Sequence, residues 1–156
     1  MPATPVEIAT VGAKVLYCVE SVAGTRPTTG YTELVGVSAA PGFEMTPETI
    51  DVSDISDYIT QYVPGRQDPG GDAAFTLNHS EAAIDAWEGM VTAANTGLAS
   101  GLRTWFEYKY PNATRSYFFA ARPITLGNGG IEQNTASTIP AHCIPNGEFG
   151  WLAAST

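Results

Sequence analysis

Alternating apolar and polar positions predict that most of the chain is β-strand. In residues 102–111, Phe106, Tyr108 and Tyr110 fall on one face, and Glu107 and Lys109 fall on the other. A period of two is typical of a half-buried strand. Comparable segments predict further strands at 14–20, 31–38, around Ile50, 58–63, 72–78, 116–127 and 131–147.

The period changes to that of a helix over residues 80–97. Ser80 is a suitable N-cap, Glu81 follows in the first turn where the helix dipole favours an acid, and Gly97 marks an expected end. Apolar residues recur on one face at helical spacing: Ile84, Trp87, Val91 and Ala94. The elements together predict a mainly β fold, either a β-sandwich or a partly closed barrel, with one flanking α-helix.

Three segments stand apart from this pattern. Residues 1–30 are rich in Pro, Thr, Ala and Gly, which predicts an N-terminal arm that orders against a neighbour, while 31–156 form one β domain. The run PGRQDPGG predicts a loop containing Pro64, Gly65, Arg66, Asp68, Gly70 and Gly71. Near the C-terminus, Phe149, Trp151 and Leu152 need cover from the core or from a partner.

Composition limits the classes of function. Seven Lys and Arg against sixteen Asp and Glu give a net charge of −9, which argues against tight binding to nucleic acid or to an anionic membrane. The chain has no apolar run long enough to span a membrane, and its start lacks the features of a signal peptide. We therefore expect a soluble protein made in the cytoplasm, with Cys18 and Cys143 as free thiols.

The sequence offers little chemistry. Asp51, Asp54 and Asp57 are three residues apart and do not match a calcium loop. The two histidines, His79 and His142, lack zinc-site spacing and a nucleophile signature, and the Gly-rich segments do not match phosphate-binding motifs. We expect no metal, no cofactor and no enzymatic activity.

The acidic stretch ETIDVSDISDYITQYVPGRQDPGGDAAFTLN, residues 48–78, resembles the signature of major tail tube proteins of long, flexible-tailed bacteriophages. The resemblance lies in the order of its parts: an IDVS-type strand, a polar stretch ending in Pro64-Gly65, a turn over 68–72, an alternating strand, and the helix. It implies the tail-tube fold, which is shared with type VI secretion tube proteins.

The resemblance also implies a function and partners. Subunits would form hexameric rings that stack into a hollow tube in the virion tail, with the tape-measure protein and DNA inside the bore and without specific binding. Other tail proteins would meet the tube ends, and no membrane would be involved. The loop between the early strands and the terminal arms would carry ring-to-ring contacts.

An acidic bore would let DNA slide without sticking. Candidate acids for the bore or the ring interface are Glu44, Asp51, Asp54, Asp57, Glu107 and Glu132. Three alternatives are open: a related tail terminator or secretion tube subunit; a monomeric β-sandwich module binding carbohydrate or protein through Trp105, Tyr108 and Tyr110; and a small hydrolase using His79 or His142.

Overall fold

The computed structural model describes residues 10–156, which form nine strands and one helix. The elements in chain order are β1 (Lys14–Val19), β2 (Thr32–Glu33), β3 (Val37–Ala39), β4 (Thr46–Asp51), β5 (Tyr62–Asp68), β6 (Ala73–Asn78), α1 (Glu81–Ala99), β7 (Thr104–Lys109), β8 (Arg115–Pro123) and β9 (Thr138–Ala153). Seven strands make one antiparallel sheet in the order β2-β1-β7-β8-β9-β6-β3, while β4 and β5 pair only with each other.

The seven-stranded sheet curls so that one short connection joins its two edge strands. The edge strands β2 and β3 are separated by only Leu34, Val35 and Gly36, so the edges must lie within the reach of three residues. Leu34 is buried, and its amide donates to the Val15 carbonyl at 2.8 Å. The predicted partly closed barrel with one helix is therefore confirmed.

Aromatic side chains fill the inside of the curl. Phe106, Phe119 and Phe149, on three neighbouring strands, stack with centroid distances of 5.1 and 5.8 Å. Cross-strand aromatic pairs of this kind are a main source of stability in a sheet. Trp87 from α1 closes the core beside Phe75, and its indole N–H donates to the Ile124 carbonyl at 2.9 Å.

The helix begins where the sequence predicts and ends later. The Ser80 side chain accepts a hydrogen bond from the Ala83 amide at 3.1 Å, as an N-cap should. The helix continues through Gly97 to Ala99, and Gly101 then adopts a positive φ of 74°. Gly97 is buried inside the helix and packs closely against β1. Glycine is needed there because a β-carbon would lie 2.7 Å from a methyl group of Val19.

The outer face of the sheet carries a second buried cluster. Trp105, Phe118 and Ala120 lie there under Tyr31, and the Arg26 guanidinium sits 4.3 Å from the centre of the Phe118 ring. The segment between β1 and β2 therefore covers this face. It is held at one end by the buried carboxylate of Glu20.

Glu20 accepts hydrogen bonds from the Trp105 indole at 2.7 Å, the Gly24 amide at 2.9 Å, and the Arg103 Nε at 3.2 Å. Burial favours its neutral form, but these hydrogen bonds and the charge of Arg103 outweigh burial. The pKa of Glu20 consequently lies below its usual value.

Three sequence expectations need correction. First, β1 lies inside the sheet between β2 and β7, so residues 14–19 belong to the domain and not to an arm; residues 1–9 lie outside the described residues. Second, the last strand covers 138–153 instead of 131–147. The segment Pro145-Asn146-Gly147, where the predicted strand stops, lies at a register shift within β9 and does not end the strand.

The third correction concerns PGRQDPGG. Pro64, Gly65, Arg66 and Asp68 belong to strand β5, and only Gly70 and Gly71 lie in the turn that follows. Proline is tolerated because each strand of a two-stranded ribbon has a free edge. The expected strand at 58–63 is correspondingly displaced, with only Tyr62 and Val63 inside β5.

Candidate assembly surface

Strands β4 and β5 form a hairpin that the domain does not cover. Every residue of β4 is exposed, and in β5 only Gly65 is half-buried. A two-stranded ribbon is marginally stable when both faces are wet. The sequence predicted a strand around Ile50 with one face buried, and this is wrong. Ile50 and Val52, the residues expected on the buried face, are both about half exposed.

The tip of this hairpin, residues 52–61, presents apolar side chains to solvent. Ile55 and Tyr58 are fully exposed, and Ile59 is 80% exposed. Large apolar side chains gathered at one exposed point are typical of an interaction site. We call Ile55, Tyr58 and Ile59 the tip triad.

The acids of the hairpin shape the tip. The Asp51 carboxylate accepts from the Ser53 amide at 2.9 Å. The Asp54 carboxylate accepts from the Ser56 hydroxyl and also from the Ser56 amide, the latter at 2.7 Å. These hydrogen bonds hold the pKa of both aspartates below the usual value. Asp57 accepts from the Asp54 amide at 2.8 Å. The tip is therefore negatively charged and locally ordered by its own side chains.

The remaining candidate acids are scattered. Glu44 is exposed just before β4, and Glu132 is exposed in the connection between β8 and β9. Within residues 10–156, Glu107 is 0% exposed and one of its carboxylate oxygens lacks a hydrogen-bond partner, so its side chain does not reach the surface that these residues form. Its strand alternates as expected, but the segment before β2 and the C-terminal residues cover the polar face.

The C-terminal aromatic residues divide between core and surface. Phe149 lies in the aromatic stack, while Trp151 is 57% exposed and Leu152 is also exposed. Trp151 pairs with Tyr117 across β8 and β9, and the two ring centres are 5.2 Å apart. The core covers Phe149, whereas Trp151 and Leu152 are left for a partner to cover, which stays a prediction.

A groove runs past Trp151. A depression of about 600 Å³ lies between the sheet edges and the segment 40–43, and a second of about 510 Å³ continues it toward Thr114 and Arg115. Tyr110 and Trp151 line both parts, with ring centres 6.0 Å apart. The sequence did not indicate this groove, because it forms only when β7, β9 and the segment 40–43 come together.

The structure separates the residues proposed for other functions, except that His142 lies beside an acid. Trp105 and Tyr108 lie on opposite faces of β7, with Trp105 buried, so no aromatic strip for carbohydrate forms. His79 contacts Ser137 at 2.7 Å and His142 contacts Asp72 at 2.9 Å, at opposite ends of β6.

Neither cysteine has the lowered pKa that is typical of a reactive thiol. Burial raises the pKa of Cys18 and raises that of Cys143 to about 12, so both thiols stay protonated at neutral pH. Both are free in the structure. Over residues 10–156, His, Cys, Asp and Glu side chains do not gather in threes that could hold a metal ion. Within the same residues, no helix has the length and apolar character needed to cross a membrane.

Comparison with known proteins gives a fold but no family. The chain matches no protein-family model and no curated protein. Among solved structures, it is similar over 100% of both chains to one from the six-fold-symmetrised cryo-EM structure of the anti-feeding prophage baseplate, with 8% identity and a TM-score of 0.51. It is also similar to a chain of the tail of an empty gene transfer agent particle with C6 symmetry. That second match covers 79% of this chain and 87% of the other, with 14% identity and a TM-score of 0.52. The chain shares its fold with these proteins.

Proposed function

We propose that the protein is a structural subunit that assembles into stacked, hexameric rings and forms the hollow tail tube of a virion. The observation that carries this proposal is the hairpin, whose apolar tip triad is left in solvent by the folded chain. Exposed apolar clusters are costly unless a partner covers them. The fold shared with two six-fold particles supports a partner that is another copy of the chain.

The distribution of acids refines this proposal. Asp51, Asp54 and Asp57 surround the tip triad, so we place them at the interface between subunits. Glu44 and Glu132 are exposed away from the tip, and we propose them as acids of the bore. Glu107 leaves the set because it is buried. With a net charge of −9, the tube wall would repel DNA and let it pass without binding.

The hairpin also replaces the predicted inter-ring loop. Pro64, Gly65, Arg66 and Asp68 form one of its strands, and Gly70 with Gly71 links it to β6. We propose that the whole hairpin carries the contact between rings. The tape-measure protein within the bore and other tail proteins at the tube ends complete the expected set of partners.

Two related roles share the fold. The match over the full length of a baseplate chain favours, as a second candidate, a subunit at the end of a tail. A tube subunit adds copies of itself without limit, whereas an end subunit stops after one ring.

Sedimentation velocity of the purified protein over a range of concentrations separates these roles. Growth into long polymers above a threshold concentration supports the tube. Closed rings that never stack support the end subunit, and a monomer at every concentration contradicts both.

A further inference from the structure

The groove beside Trp151 pairs an exposed aromatic ring with a concave shape. Its floor includes Phe43 and Tyr117, which belong to the packed aromatic core, so the groove is backed by rigid structure. Trp151 stands more than half exposed at the point where the two depressions join. A fixed aromatic side chain in a depression is the usual centre of a protein interface.

The tip triad has complementary properties. It is apolar and convex, and it is carried on a hairpin that pairs with no strand of the main sheet. Its exposure means that it does not occupy the groove of its own chain. Within residues 10–156, neither surface is therefore covered by another part of the chain, and each offers what the other lacks.

Charge favours the same pairing. The tip carries Asp54 and Asp57, and Asp51 precedes it at the end of β4. The groove is bordered by Lys14 and Arg115, two of only seven basic residues in the chain, against one acid, Glu33, which lies 3.7 Å from Lys14. An acidic tip and a groove with a net positive rim attract each other and fix the orientation of docking.

We propose that the tip triad of one copy docks into the Trp151 groove of another copy. This inference rests on the proposed self-assembly and names the surface that receives the hairpin. Because tip and groove are different surfaces, the contact is heterologous, and each docked copy still presents a free tip. Such a contact does not close a dimer, and we assign it to the junction between rings.

Crosslinking between differently labelled copies tests the proposal in the full-length chain. Cys18→Ser removes the half-buried thiol, and Cys143 stays because it is fully buried. One preparation carries Ile59→Cys at the tip, and the other carries Thr114→Cys in the groove. Asn95→Cys, on the exposed side of α1, is the matched control.

The two preparations are mixed under polymerising conditions, treated with a short bis-maleimide, and separated on a denaturing gel. We expect a dimer band from Ile59→Cys mixed with Thr114→Cys, and none from Ile59→Cys mixed with Asn95→Cys. We also expect maleimide labelling of Thr114→Cys to slow at least tenfold on polymerisation, while that of Asn95→Cys does not.

The outcomes separate this inference from the proposed function. Polymers that give no dimer band with Thr114→Cys, and leave it as reactive as in the subunit, overturn the groove proposal but leave the tube intact. A protein that never polymerises overturns the proposed function, and the groove proposal falls with it.

Discussion

Replacing the tip triad with serine is the sharpest test of how the subunits associate. The change Ile55→Ser, Tyr58→Ser and Ile59→Ser removes three apolar side chains that are almost wholly exposed in the single chain. They make no contribution to the core, so the free energy of unfolding should change by less than about 0.5 kcal/mol. Thermal unfolding of the subunit should thus be unaltered.

Assembly should respond very differently. Burying a large apolar side chain contributes about 1.5–3 kcal/mol, and the lower figure for three side chains gives about 4.5 kcal/mol per contact. Since about 1.4 kcal/mol corresponds to a factor of ten, the concentration needed for polymerisation should rise about a thousandfold. Pelleting assays across a concentration series measure this threshold directly.

A matched control comes from Ile131, which is also exposed but lies in the connection between β8 and β9. Ile131→Ser should leave the threshold within about threefold of the wild type, since about 0.5 kcal/mol is the usual range for such surface changes. Polymerisation of the triple variant at the wild-type threshold would show that the tip triad makes no contact between subunits. Unfolding of the triple variant would show instead that the triad belongs to the core.

Three further predictions concern the subunit itself. Glu107→Met should raise Tm and increase the free energy of unfolding by about 1–3 kcal/mol, because it removes a buried carboxylate with an unpartnered oxygen among residues 10–156. A lower Tm in calorimetry would show that the carboxylate stabilises the fold. Gly97→Ala should lower the free energy of unfolding by about 1–3 kcal/mol, since the new methyl group would lie 2.7 Å from Val19. Gly89→Ala has open space around it and should raise the free energy of unfolding by about 0.5–1 kcal/mol. Equal effects of the two changes in denaturant titrations would contradict the close helix–strand contact. Because the pKa of Glu20 is lowered in the folded state, its stabilisation is present above the unfolded pKa of about 4.3 and lost as the pH falls through the folded value. The difference in Tm between wild type and Glu20→Gln should therefore be constant from pH 8 to about 5 and shrink at lower pH. A difference that grows in acid would show that folding raises the pKa of Glu20 instead of lowering it.

Local signals in the sequence were reliable where a single element determines them. Ser80 starts the helix because capping depends on the next three residues alone. The alternation of Phe106 and Glu107 correctly places them on opposite faces of β7, since strand geometry has a fixed period of two. The number of strands and the single helix predicted either a β-sandwich or a partly closed barrel, and the curled sheet is the second of these.

Signals that depend on distant residues failed. Gly97 does not end the helix. Glycine occurs at this position because the helix packs closely against Val19, a residue far away in the chain, and leaves no room for a side chain. Glu107 is polar yet buried, because Ser155 and the segment before β2 cover it; the Ser155 amide lies 3.4 Å from its carboxylate. The exposure of the hairpin could not be predicted for the same reason. Alternation around Ile50 indicates that one face of the strand is apolar, but it does not show whether another part of the protein covers that face.

The most direct test of the account is electron microscopy of the purified protein at low and high concentration. We predict small single particles at low concentration and hollow, regularly striated tubes with a stain-filled bore at high concentration. Solid filaments, irregular aggregates or single subunits throughout would contradict the claim that this chain builds a tail tube.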